Sequence, residues 1–110
     1  MSASVYYNFR IADPSISKEL KSQQVAFDNK KTLKRNVKSG DGDVSVTLTG
    51  LGTIAALLVI TDLDISLKID GNTIPVSSFY FSELSELTSL AIACADTDGA
   101  EVEVTVWGAD

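Results

Sequence analysis

The sequence predicts an all-β protein: an antiparallel β-sandwich, jelly-roll-like, with about eight strands. Three observations carry this expectation. Short segments alternating apolar and polar residues recur along the whole chain. Turn signals rich in Gly, Asp and Asn separate them at intervals of roughly 8–12 residues, the spacing of sandwich strands. No segment holds a 3.6-residue apolar period over the length of an ordinary helix.

The elements follow in order. Val5, Tyr7, Phe9 and Ile11 share one side of an extended segment, with Tyr6, Asn8 and Arg10 on the other, and Asp13-Pro14 ends it. Ile16 to Gln24 fits either a short helix capped by Ser15 or Ser17 or an irregular edge strand; Ile16, Lys18 and Leu20 match a strand as well as a helix, and the shortness of the segment favours extended or irregular structure. Val25-Ala26-Phe27 is apolar, Asp28-Asn29 is a turn candidate, and Lys31 to Val37 alternates Leu33, Arg35, Val37 against Thr32, Lys34, Asn36. That strand is expected to be solvated or to face a partner. Ser39 to Asp43 is a loop, and Val44, Val46 and Leu48 alternate with Ser45, Thr47 and Thr49 before Gly50 and Gly52.

Leu51 to Val76 is the stretch around which the rest is organised. Ile54 to Ile60 is a nearly unbroken apolar run, the pattern of a strand buried on both faces or central in a sandwich. After Thr61-Asp62-Leu63-Asp64, the alternation of Ile65, Leu67 and Ile69 with Ser66, Lys68 and Asp70 predicts one dry and one wet face. Asp70-Gly71 or Gly71-Asn72 predicts a two-residue hairpin, because both pairs tolerate positive φ. Pro75 then places Thr73–Val76 at a sheet edge or ends it, since proline donates no ladder hydrogen bond. Phe79, Tyr80 and Phe81 must pack, stack or meet a partner, and alternate rings point to opposite sides of a strand. Ser82 to Leu87 predicts one helical turn with Ser82 as its cap. Leu90, Ile92 and Cys94 predict a buried strand, Asp96 to Gly99 a hairpin, and Val102, Val104 and Val106 the returning strand.

Composition bounds the function. The chain has 110 residues, of which 45% are hydrophobic, enough for one domain with a core and too apolar for a disordered protein. It has no run apolar enough for a transmembrane helix and no signal-peptide pattern at its start, so cytoplasmic synthesis is expected. The single Cys94 can form no internal disulfide. Residues 1–40 carry a formal charge of +5 and residues 41–110 a charge of −11, giving −6 in all. The expected organisation is a basic N-terminal strand or arm over residues 1–43 and a β-sandwich body over 44–110, together one domain. Opposite halves of this kind attract each other within the fold or between copies. The acidic excess argues against nucleic acid, whose phosphates reward basic surfaces.

Reaction chemistry is hard to place. Without histidine the commonest general base is missing, and one cysteine leaves no zinc-ligand set. The pairs Asp41/Asp43, Asp62/Asp64, Asp96/Asp98 and Glu101/Glu103 would serve glycan hydrolysis only if two carboxyls met in a cleft. The simpler reading is that turn aspartates cap their own backbone. Asp96 to Gly99 is also a fragment of a calcium loop, but the remaining ligands are missing at the required spacing. Cys94, in an apolar strand, reads as a small buried hydrophobe. The expectation is therefore no enzyme, no cofactor and no metal.

Ile54–Ile60, Asp62-Leu63-Asp64, Ile65–Ile69 into Asp70-Gly71, Leu90–Ala93, and Val102–Val106 closing on Trp107-Gly108 together resemble the small β-sandwich virion proteins of tailed bacteriophages. The resemblance spans Val44 to Gly108 and rests on the order of strands and the near-terminal glycine. It implies a non-enzymatic virion part of capsid decoration or cement type, with a tail, neck or fibre component as the alternative. The implied partners are copies of itself, a trimer among the options, and virion proteins such as the major capsid protein or tail proteins, with neither nucleic acid nor membrane. Candidate assembly contacts are Arg10, Lys30, Lys31, Lys34, Arg35, Lys38, Phe79, Tyr80, Phe81 and Trp107. A carbohydrate-binding or adhesin-like module is the reading from another class, with the Phe79–Phe81 rings or Trp107 stacking on glycan.

Overall fold

Ten strands, all in antiparallel pairings, make up the fold in a computed structural model that describes residues 3–9, 20–83 and 87–109. They are β1 (Ala3–Phe9), β2 (Leu20–Phe27), β3 (Asn29–Val37), β4 (Val44–Ser45), β5 (Thr53–Thr61), β6 (Ile65–Ile69), β7 (Asn72–Val76), β8 (Phe79–Glu83), β9 (Leu90–Ala93) and β10 (Ala100–Ala109). Strands β3 to β10 form two four-stranded sheets: a front sheet of order β3-β10-β5-β8 and a back sheet of order β4-β9-β6-β7. Among these eight, the first pairs with the last, the second with the second-last, and so on inward to the β6–β7 hairpin and the β5–β8 pair. That nested pairing is an antiparallel ribbon rolled into a sandwich, the jelly roll. The expected all-β sandwich is what the chain forms.

The strands β1 and β2 stand apart as a two-stranded ribbon. Within the expected 1–43 arm, Asn29–Val37 is a strand of the front sheet, paired with β10 along its whole length. The ribbon therefore comprises only what precedes it. The radius of gyration is 14.9 Å, against about 13 Å for a compact chain of this length.

The core lies between the sheets. Val37, Leu57, Val59, Val104 and Val106 face inward from the front sheet, and Ile65, Leu67, Val76, Leu90 and Ile92 from the back, with Cys94 buried beside them. Period-two alternation produces this arrangement, because the inward set of each strand is its apolar set. The β6–β7 turn is the expected two-residue type: Ile69 pairs with Asn72, and Asp70 and Gly71 have φ of 49° and 88°. Pro75 sits in β7, an edge strand.

Three local expectations are corrected. Asp96 to Gly99 is not a hairpin, because β9 pairs with β4 and β6 in the back sheet while β10 lies in the front sheet; the loop crosses between layers. A turn does not separate β2 from β3 at Asp28-Asn29; Asp28 alone interrupts two extended segments, and its N–H donates to the Gly108 carbonyl at 2.8 Å. Ser82 and Glu83 belong to strand β8, where pairing with Leu57 and Ala56 overrides the capping signal. Leu84–Glu86, the rest of that expected helical turn, lies outside the described residues, as does Ile16 to Glu19; Leu20 to Gln24 is strand.

Candidate interaction surface

The outward residues of the front sheet form rows across β3, β10, β5 and β8. Register places Lys30, Trp107, Ala56 and Glu83 in one row; Thr32, Thr105, Leu58 and Phe81 in the next; Lys34, Glu103, Ile60 and Phe79 in a third. Polar partners hold the β3 side. Thr32 and Thr105 hydroxyls lie 3.4 Å apart, Lys34 is 4.0 Å from Glu103, and Asn36 Nδ2 donates to Glu101 Oε1 at 3.2 Å. The β5 and β8 side is apolar apart from Glu83.

The ribbon covers one end of this face. Tyr7 of β1 lies against Phe81, ring centroids 4.4 Å apart and tilted by 51°. Phe27 of β2 meets Trp107 edge-on at 6.5 Å. Ala56, Thr105 and Trp107 are consequently 0%, 8% and 8% exposed although they point away from the core. Burial raises the Tyr7 phenol above its ordinary pKa, with a hydrogen bond to Glu83 and the negative charge of Glu83 adding to the effect. Ionising Tyr7 in alkali would set two negative charges against each other at this contact.

The other end is open. Ile60 is 47% and Phe79 54% exposed, with Leu63 at 43% in the loop beyond. Beside them a depression of about 380 Å³ is lined by Lys34, Ile60, Asp62, Glu101 and Glu103, among others. Apolar and charged groups thus sit side by side at this end of the face.

The structure gathers most of the sequence-predicted contacts on this sheet and separates others. Lys30 and Lys34 share the outward side of β3, whereas Lys31 and Arg35 register with Val106 and Val102 on its other side. Arg35 pairs with Asp41 at 3.3 Å. Lys38 follows the strand, next to a single 3₁₀ turn at Ser39–Asp41. Lysines on an edge strand also have a structural role, since they oppose uncontrolled pairing of that edge with another chain. Phe79 and Phe81 lie on the outer face, Tyr80 turns the other way and packs on the core, and Trp107 is beneath the ribbon. Arg10 lies outside the described residues. Leu58 and Ile60 belong to this face as well, although neither is among the contacts expected from the sequence. The signal was present: Ile54 to Ile60 is apolar on both sides, and a strand of that pattern requires cover on both faces.

The turn carboxylates cap backbone. Asp62 Oδ1 accepts from the Glu101 N–H at 2.7 Å, and Asp96 Oδ1 accepts from the Asp98 and Gly99 N–H groups at 2.8 and 3.2 Å. Asp43 is paired with Lys68 at 2.8 Å. Asp70 Oδ1 accepts from the N–H groups of Ser89 and Thr88 and from the Thr88 hydroxyl, at 2.8, 2.8 and 2.9 Å; these bonds hold its pKa below the ordinary value. Among the described residues, no three of the Asp, Glu and Cys side chains gather in a way that would hold a metal ion, and no helix is long and apolar enough to cross a membrane. The chain matches no protein-family model and no curated protein.

Proposed function

We propose that the protein is a non-enzymatic structural component of a tailed-phage virion, of capsid decoration or cement type, acting in many copies against itself and against shell or tail proteins. It is made in the host cytoplasm and works in the particle. A jelly roll hosts many unrelated functions, so the fold alone does not carry this reading. The observation that carries it is the outer face of the front sheet. There Ile60 and Phe79 are half-exposed in one register row with Lys34 and Glu103, beside a basic edge strand on an acidic body. That surface supports multi-copy contact, and the resemblance of Val44 to Gly108 to phage virion proteins supports the setting. A tail, neck or fibre position would use the same surface.

The glycan-binding alternative is weakened by the rings themselves. Trp107 is 8% exposed beneath Phe27, and Phe81 is engaged by Tyr7, which leaves no three-ring platform for a sugar.

Light scattering on the purified protein tests the reading. The expected result is a discrete oligomer at low salt that loosens as salt rises, and that an Ile60→Ser/Phe79→Ser variant converts to single chains without unfolding. A single chain whose mass ignores both salt and the double substitution would count against it.

A further inference from the structure

We propose that the β1–β2 ribbon is an exchangeable element, so that in the assembled protein the ribbon of one copy covers the front-sheet face of another. The inference rests on the multi-copy reading above and names the surface and the partner: a second copy of this chain. The face shows what it binds, because the ribbon is seated on it in the single chain. Tyr7 lies on Phe81, Phe27 lies on Trp107, and Ala56 and Thr105 are buried with them.

The attachment is what makes exchange possible. One residue, the exposed Asp28, joins Phe27 at the end of β2 to Asn29 at the start of β3. A backbone bond from Asp28 N–H to the Gly108 carbonyl at 2.8 Å holds the chain there as it passes from the sheet's edge onto its outer face. Rotation at this one residue turns β2 into a continuation of β3. The 8 residues of β2 then reach about 26 Å at 3.3 Å per residue.

An isolated two-stranded ribbon is marginal in water, so it stays seated on a face, its own or a neighbour's. Exchange reproduces the same ring contacts between two chains, so it needs no new complementarity. Its opposing term is the loss of freedom on association, which falls when copies are already held side by side in an assembly.

The test uses the full chain with Cys94→Ala as background, so that introduced thiols are the only ones. Tyr7→Cys and Phe81→Cys are made singly and together. The two single variants are unfolded, refolded as a mixture and oxidised. Exchange predicts that a linked pair of twice the chain mass is the main product, well above that from Tyr7→Cys mixed with a back-face control, Thr73→Cys. A double variant that closes within one chain, with a mixture no better than the control, overturns the proposal; so does a double variant that links in neither way. A second measurement needs no cysteine: lengthening the hinge with three glycines after Asp28 slackens the link, favours the seat on the ribbon's own chain over the extended form, and should shift the mass toward single chains. An unchanged oligomer overturns exchange while leaving the multi-copy reading in place. A wild-type chain that is single under all these conditions removes both.

Discussion

The two sheets meet the same core and present opposite exteriors. The back sheet turns outward Ser45, Ser66, Lys68, Thr73, Pro75, Ala91 and Ala93, small or polar groups that water can cover. The front sheet turns outward Ala56, Leu58, Ile60, Phe79, Phe81 and Trp107, which water solvates poorly, alongside Lys30, Thr32, Lys34, Glu83, Glu103 and Thr105. The front face is accordingly covered at one end by the ribbon and carries Ile60 and Phe79 half-exposed at the other. A sandwich needs only its inward faces to be apolar. The apolar exterior of the front sheet is therefore not demanded by the sandwich, and part of it serves as the seat of the ribbon.

Substitution on the two exteriors should separate them most clearly. Trp107→Ala is expected to destabilise the protein by about 3–5 kcal/mol, as large aromatic truncations at buried sites do. Thr73→Ala on the back face should stay within about 0.5 kcal/mol. Urea unfolding followed by circular dichroism measures both, and equal effects would erase the distinction between the faces. Gly108→Ala comes next. Leu51 of the β4–β5 connection passes so close that an added methyl overlaps its carbonyl oxygen. The backbone has to move, at a cost of about 1–3 kcal/mol or more, readable in the same urea midpoints.

Reversing charge at Lys31, Lys34 and Arg35 together tests the basic edge. These side chains are half-buried to exposed, so the isolated fold should hold while assembly weakens at low salt and differs little from wild type at high salt. Assembly unchanged at low salt would remove β3 from the contact.

The smallest expected effect lies on the back sheet, at Asp70. Its pKa is depressed by the Ser89 and Thr88 bonds, so the stability it contributes is present above the unfolded value, near 3.8, and is lost as pH falls through the lower folded value. Asp70→Asn should flatten that acid limb and leave front-face assembly untouched. Thermal melts between neutral pH and about pH 2 check the limb, and light scattering checks the assembly.

Much of the fold was legible because it is local. Period-two alternation in Ile65–Ile69 and Val102–Val106 identifies strands and their dry sides, and Asp70-Gly71 identifies its hairpin through two residues that accept positive φ. Pro75 identifies an edge by its missing N–H. Asp96 was legible too, since it reaches only two and three residues ahead for its partners, whereas Asp62 and Asp70 accept from Glu101 and from Thr88 and Ser89, far off in the chain.

The candidate surface was legible only in its parts. Lys30, Lys34, Phe79 and Trp107 read as contacts one by one, but nothing in the sequence shows that they share a face, because they belong to three strands brought together by long-range register. The same limit explains the Asp96–Gly99 loop. A turn between two strands reads alike whether it closes a hairpin or carries the chain to the other sheet, and only the partner strands decide which. Ser82-Glu83 is a further case: β8 gains ladder bonds to β5 that outweigh a local capping preference. The class of structure, the dry side of each strand and the tight turn were thus readable before folding, since all of them depend on neighbours a few residues apart. Which strands pair, which side chains the ribbon buries and which apolar residues are left facing out follow from contacts between residues distant in the chain, and those exist only once it has folded.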